Sequence, residues 1–188
     1  MPAERPVPAV EPPPAPPAPP AREPSRLARE SRWLASAIAK LRQEGAPEQA
    51  LAILDQHQSE LDSGALAGEA NATRLEALLR LGRNAQALVL LDGQTLSARG
   101  LEREMLVARA ELRADKNRTS AALRDFDLIL SSPGRADGIS ERALYGRAGA
   151  RAKNGDQAGA RADFAQYLNA FPSGRFAAQA RSALSQLR

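Results

Sequence analysis

The 188-residue chain has no cysteine and a single histidine. Without cysteine there are no disulfides, thiolate metal sites or cysteine nucleophiles, though the compartment stays open because proteins of either redox environment can lack it. With only one histidine there is no His-pair metal site and no ready proton relay. His57, between Gln56 and Gln58, reads as a surface residue on a polar helix face. Aromatic residues make up only 4% of a chain that is 43% hydrophobic, so the core must be built from Leu and Ala. No apolar run approaches the ~20 residues that span a bilayer, and the start MPAERPVPAV lacks the apolar stretch of a signal peptide. As written the chain reads as soluble, cytoplasmic by default and periplasmic if it is a fragment of a longer anchored protein. Nucleotide-loop, GxSxG and HExxH patterns are missing too. Asp125 and Asp127 lie two apart, so on a helix they point in different directions and do not form a carboxylate pair. There is no catalytic, metal or cofactor candidate, and the chain is read as non-enzymatic.

The formal charge is +4, and its distribution says more than its sum. From Arg26 to Gly134 there are 15 basic and 15 acidic residues, whereas from Arg135 to Arg188 there are nine against four. A basic C-terminal third could serve a nucleic acid or an anionic membrane. The excess is small for that role, and a solvated Arg-rich surface is the preferred reading. Eleven of the 14 prolines fall between Pro2 and Pro24, where fixed φ and missing N–H groups forbid helix or central strand. Residues 1–24 are therefore expected to be a disordered, extended Pro/Ala-rich linker. Pro17, Pro20 and Arg22 also fit a PxxPxR recognition pattern. A spacer with nothing before it suggests a fragment or a processed form of a longer protein.

What recurs is an alanine followed four residues later by a large apolar side chain: Ala50/Leu54, Ala87/Leu91, Ala122/Phe126 and Ala160/Phe164. Gly45, Gly82 and Gly155 stand five residues before three of these alanines. Periods of this length mark stacked helical repeats, in which a methyl group lets two helices cross closely while the larger residue fills the space beside it. The apolar spacing predicts helices over Arg26–Glu44 and from Pro47, then Ala65–Leu81 followed by one carrying Ala87–Leu91. It continues with Leu101–Ala114, Thr119–Leu130 with Thr119 as cap, Ile139–Lys153, and Gln157–Ala170 capped by Asp156. Asp92-Gly93 and Pro133-Gly134 break the chain between pairs. A last helix, Ser173–Leu187, covers the end of the stack.

These residues resemble tetratricopeptide repeats over 26–188. The segment NGDQAGARADFAQYLNAFP fits best: Gly155, Ala160, Phe164 and Pro172 fall on the turn glycine, packing alanine, packing aromatic and terminal proline. Asn71, Ile38 and Leu75 depart from the pattern, so the repeats are degenerate. The ending YLNAFPSGRFAAQARSAL is similar to periplasmic repeats of the TolA-binding, cell-division-coordinator type, and to bacterial repeat modules linked to anti-sigma proteins. The resemblance implies an all-α, right-handed superhelix of about four antiparallel helix pairs over 25–188. It also implies a concave face, lined by the first helix of each pair, that binds a protein or peptide.

Carrying the family's groove positions across gives Arg42, Glu69, Glu76, Glu104, Val107, Glu111, Arg142 and Tyr145. None of the groove positions is the Lys or Asn of the chaperone-tail clamp, so such tails are disfavoured. The four glutamates would instead form an acidic strip for a basic peptide, with Val107 and Tyr145 offering apolar contact. Equally, they would be solvated side chains paired with Arg80 or Arg103. A self-associating envelope spacer and, less favoured, a nucleic-acid-binding module are the competing readings.

Overall fold

The computed structural model describes residues 24–131 and 137–187, and among these there are helices and no strands. The Pro-rich linker with its PxxPxR match, and the Pro133-Gly134 break, fall outside the described residues, save Pro24. The helices are α1 (Arg26–Arg42), α2 (Pro47–Gln56), α3 (Gln58–Asp62), α4 (Ala67–Arg80), α5 (Asn84–Asp92), α6 (Gly100–Asp115), α7 (Thr119–Leu130), α8 (Gly138–Lys153), α9 (Gln157–Ala170) and α10 (Ala177–Gln186).

The first helices of the pairs end in one recurring device. Gly82, Asn117 and Gly155 sit at φ +66°, +58° and +83°. Each donates its N–H three residues back, while the next residue donates five back: Arg83 to Leu78 at 2.9 Å, Arg118 to Arg113 at 2.8 Å, Asp156 to Arg151 at 3.0 Å. This is the left-handed C-cap, which satisfies the last carbonyls of α4, α6 and α8 before the chain reverses. Asn117 fills the glycine's role because asparagine tolerates that region. The second helices then begin differently. Pro47 opens α2, where its missing N–H costs nothing, and the Asp156 carboxylate caps α9 by accepting from Gly159 N at 2.9 Å. Thr119 is not a cap: it is the first residue of α7, Arg118 occupies the cap position, and no side chain closes that end.

The four recurrent alanines are all fully buried, and Leu54, Leu91, Phe126 and Phe164 beside them are at most 4% exposed. α1 packs on α2, α4 on α5, α6 on α7 and α8 on α9, and the first helices also pack in succession, α1 on α4, α4 on α6 and α6 on α8. α10 rests on α9 through Ala177 and Ala180 while Gln179, Arg181, Ser182 and Gln186 face solvent. Its helical part starts at Ala177, four residues later than expected, because Phe176 is the cap residue and the segment before it turns.

A second periodic element, invisible in the alanine pattern, ties neighbouring pairs together. Arg74, Arg109 and Arg147 repeat at the same intervals as Ala87, Ala122 and Ala160. Each reaches the end of the preceding pair: Arg74 to Leu54 O at 3.0 Å, Arg109 to Leu91 O at 3.2 Å, Arg147 to Asp127 Oδ1 at 2.7 Å. In the last two pairs the same guanidinium also makes a two-pronged bond within its own pair, Arg109 to Asp125 and Arg147 to Asp163, all at 2.7–3.0 Å. Arg113 and Arg151, one turn on, share those carboxylates. Planar forks of this kind hold three helices in register. Ala37 stands at the equivalent site of the first described pair. Asp125 and Asp127 therefore do diverge as expected, one into this buried network and the other towards Arg147.

The next first helix is gripped at its start as well. Arg103, 3% exposed, donates to the Asp137 carboxylate at 2.6 Å and to Ser140 Oγ at 2.7 Å. Burial pushes the Asp137 carboxyl up, but the Arg103 guanidinium and Ser140 N–H outweigh it and hold it down at about 2. Leu27 is 52% exposed, since the buried apolar stripe of α1 starts about two turns later at Leu34. The expected place of His57 fails. His57 is not on a helix face at all: it breaks the chain between α2 and the short α3, and its ring stacks on Trp33 at 3.9 Å and 7°.

Candidate functional site

The first helices line two adjacent clefts. On α6 the residues Leu101, Glu104, Met105 and Ala108 recur at i, i+3, i+4 and i+7, so they share one face. With Ala72, Leu75, Glu76, Leu79 and Arg80 of α4, Arg42 of α1 and Arg142 of α8, they enclose about 540 Å³. The floor is aliphatic and the rim charged. Farther along α6, Glu111, Ala114 and Asp115 face Tyr145, Gly146, Gly149 and Lys153 of α8 across a second space of about 470 Å³, closed by Phe126 and Phe176. Tyr145 lies flat on Phe176, ring centroids 4.4 Å apart at 11°, and edge-on to Phe164 and Tyr167. Tyr167 in turn donates to Glu141 at 2.7 Å and accepts from Phe176 N at 2.8 Å; burial first, and Glu141 second, push its hydroxyl up to about 12. The aromatic wall is thus locked from behind.

Six of the eight groove residues named from the sequence line these clefts: Arg42, Glu76, Glu104, Glu111, Arg142 and Tyr145. Two do not. Val107 is fully buried within the core cluster, because a residue next to Ala108 is rotated ~100° away from the cleft face. Glu69 is exposed in a separate depression of about 400 Å³ beside the Gln94–Glu102 connection. The floor residues Leu75, Leu101, Met105 and Ala108, and the ring Phe176, were missed. The i, i+3, i+4, i+7 recurrence on α6 was the signal that could have found most of them.

The acidic strip is not bare. Arg42 donates twice to Glu76, at 3.1 and 2.8 Å, and Arg80 holds the other oxygen of Glu76 at 2.7 Å. Arg142 forks onto Glu111 at 2.9 and 2.6 Å and reaches Glu104 at 3.2 Å; the Glu111 bond outweighs burial, which pushes the Arg142 pKa down, and leaves it raised. Around the two clefts four cations, Arg42, Arg80, Arg142 and Lys153, balance four carboxylates, Glu76, Glu104, Glu111 and Asp115. Arg103, the alternative partner, is engaged elsewhere with Asp137.

Five of the nine basic residues of the C-terminal third are likewise engaged within the chain. Arg142, Arg147 and Arg151 are ion-paired, and Arg161 and Arg181 donate to the carbonyls of Leu187 and Pro172. Among the described residues no group of His, Asp and Glu is arranged to hold a metal ion, and no helix is long and apolar enough to cross a membrane. Comparison with protein-family models, curated proteins and solved structures finds no match.

Proposed function

We propose that the chain is a non-enzymatic protein-interaction scaffold: a degenerate tetratricopeptide-like array, right-handed in its superhelix, that receives a peptide segment of a partner protein on the concave face formed by α1, α4, α6 and α8. The observation that carries this reading is where apolar surface is left open. Of the exposed large apolar side chains among the described residues, Leu79 and Leu101, 38% and 45% exposed, meet on the floor of the first cleft, whereas Leu27, Val89 and Leu128 lie on separate helices and line neither cleft. Exposed apolar area rimmed by charge is the usual mark of a docking surface, and its concavity favours a narrow ligand over a flat one. The polar outer side of α10 argues against end-to-end stacking as a spacer.

The test places a photo-cross-linking amino acid at Leu79 or at Val89, which is 74% exposed on α5 away from the clefts, in the full chain within its native cells. A discrete heterologous adduct from position 79 and none from position 89 supports the reading. Adducts of equal yield from both, or only with a second copy of the chain, would remove it.

A further inference from the structure

We infer that the two clefts act as paired sockets for one extended peptide, which carries an aliphatic and an aromatic side chain four residues apart and lays its backbone across Arg142. This rests on the scaffold reading above. The sockets differ in chemistry. The first is floored by aliphatic side chains and takes a branched aliphatic residue. The second offers the Tyr145–Phe176 stack and, at Gly149, open space where a Cβ would meet nothing within 4 Å, which suits a flat ring.

Among the described residues Arg142 alone lines both clefts, and it stands between them as a bar. Three of its N–H groups are used, two on Glu111 and one on Glu104. A guanidinium has five, so two remain to donate to a carbonyl of a crossing backbone. Along α6 the first cleft is lined by Leu101–Ala108 and the second by Glu111–Asp115, so the midpoints of the two linings lie about eight residues or ~12 Å apart at 1.5 Å per residue, which an extended chain covers in about four residues. Residues i and i+4 of such a chain point to the same side, so both can enter. A helical ligand, ~10–12 Å across, would ride on the Arg142 bar and reach neither floor. Because the rim charges cancel, recognition comes from the two apolar anchors, and added salt changes affinity little.

The experiment selects a phage-displayed random nonapeptide library on the immobilised full chain. The enriched sequence is then synthesised with a fluorescein label and titrated by anisotropy. The expected motif has an aliphatic and an aromatic residue four apart, and serine at either anchor weakens binding ~10-fold or more. Leu79→Arg, which blocks the first socket, and Gly149→Leu, which fills the second, each cause a comparable loss with helical circular dichroism unchanged. Gly149→Leu replaces a mid-helix glycine with a better helix former, so loss of binding there is not loss of folding. If the selected peptides respond to Leu79→Arg but not to Gly149→Leu, or show no fixed anchor spacing, the paired-socket inference is overturned while the scaffold survives. If nothing is enriched, or the peptides ignore both substitutions, both fall.

Discussion

Replacing Asp125 by alanine removes the acceptor of three hydrogen bonds: Arg109 Nε and Nη2, both at 3.0 Å, and Arg113 Nη1 at 2.7 Å. The Asp125 and Arg109 side chains are 7% and 10% exposed, so the guanidinium left behind stays out of water. Breaking a buried pair from one side costs ~3–5 kcal/mol. The low end applies here, because Arg109 keeps the carbonyls of Leu91 and Gln94 and Arg113 keeps Asp92. A loss of ~3 kcal/mol corresponds to ~6–12 °C in Tm for a domain of this size. The double variant Arg109→Leu with Asp125→Leu removes both charges. It should be less damaged than the sum of the two single changes, retaining mainly the cost of two carbonyls without a donor, ~1–3 kcal/mol each. Urea unfolding followed by far-UV circular dichroism measures Asp125→Ala, the single changes Arg109→Leu and Asp125→Leu, and the double variant. A loss under ~1 kcal/mol for Asp125→Ala, or strict additivity in the double variant, would refute the account of this network as a buried clamp between pairs. Asp163→Ala, which faces the same geometry from Arg147 and Arg151, should behave alike.

Three further outcomes are expected. Ala122→Leu forces a larger side chain into a site of zero exposure between α7 and its neighbours and should cost ~1–3 kcal/mol by thermal melting, whereas an unchanged Tm would contradict the assigned packing. Two glycines of α8 should respond in opposite directions: Gly149→Ala gains up to ~1 kcal/mol of helix propensity in open space, while Gly146→Ala loses stability because its Cβ would lie 2.6 Å from the ring of Phe126. Tyr167 is kept neutral in the fold, with its hydroxyl pushed up to about 12 against ~10 when unfolded, so its contribution is complete below pH ~10 and lost as pH rises towards 12. That amounts to ~2–3 kcal/mol, and denaturant melts of Tyr167→Phe should lack the decline in that window that the parent chain displays.

Much of the architecture was legible from local physics. The glycine and alanine intervals and the apolar stripes belong to the chain whatever surrounds it, because helix periodicity and left-handed caps depend only on neighbours in sequence. They placed α9 to the residue and α7 to within one at its start, and Gly82 and Gly155 at their turns. The site was legible by half. Arg42, Glu76, Glu104, Glu111, Arg142 and Tyr145 followed from the groove positions of the repeat family that the chain resembles. The choice of partner for each charge did not, because Arg42–Glu76 and Arg142–Glu111 join residues 34 and 31 apart.

By itself, the sequence determined that this protein is helical, where its helices reverse, and which small residues lie at the crossings. Only the tertiary structure decided that Val107 is sealed in the core and that Trp33 of α1 stacks on His57 at the break after α2. It alone also decided that a line of glutamates becomes a neutral, ion-paired rim around apolar floors. The physical reason is one of range. Turn and helix preferences act over a few residues, whereas a side chain's burial and counter-charge are set by whichever helix the stack brings alongside.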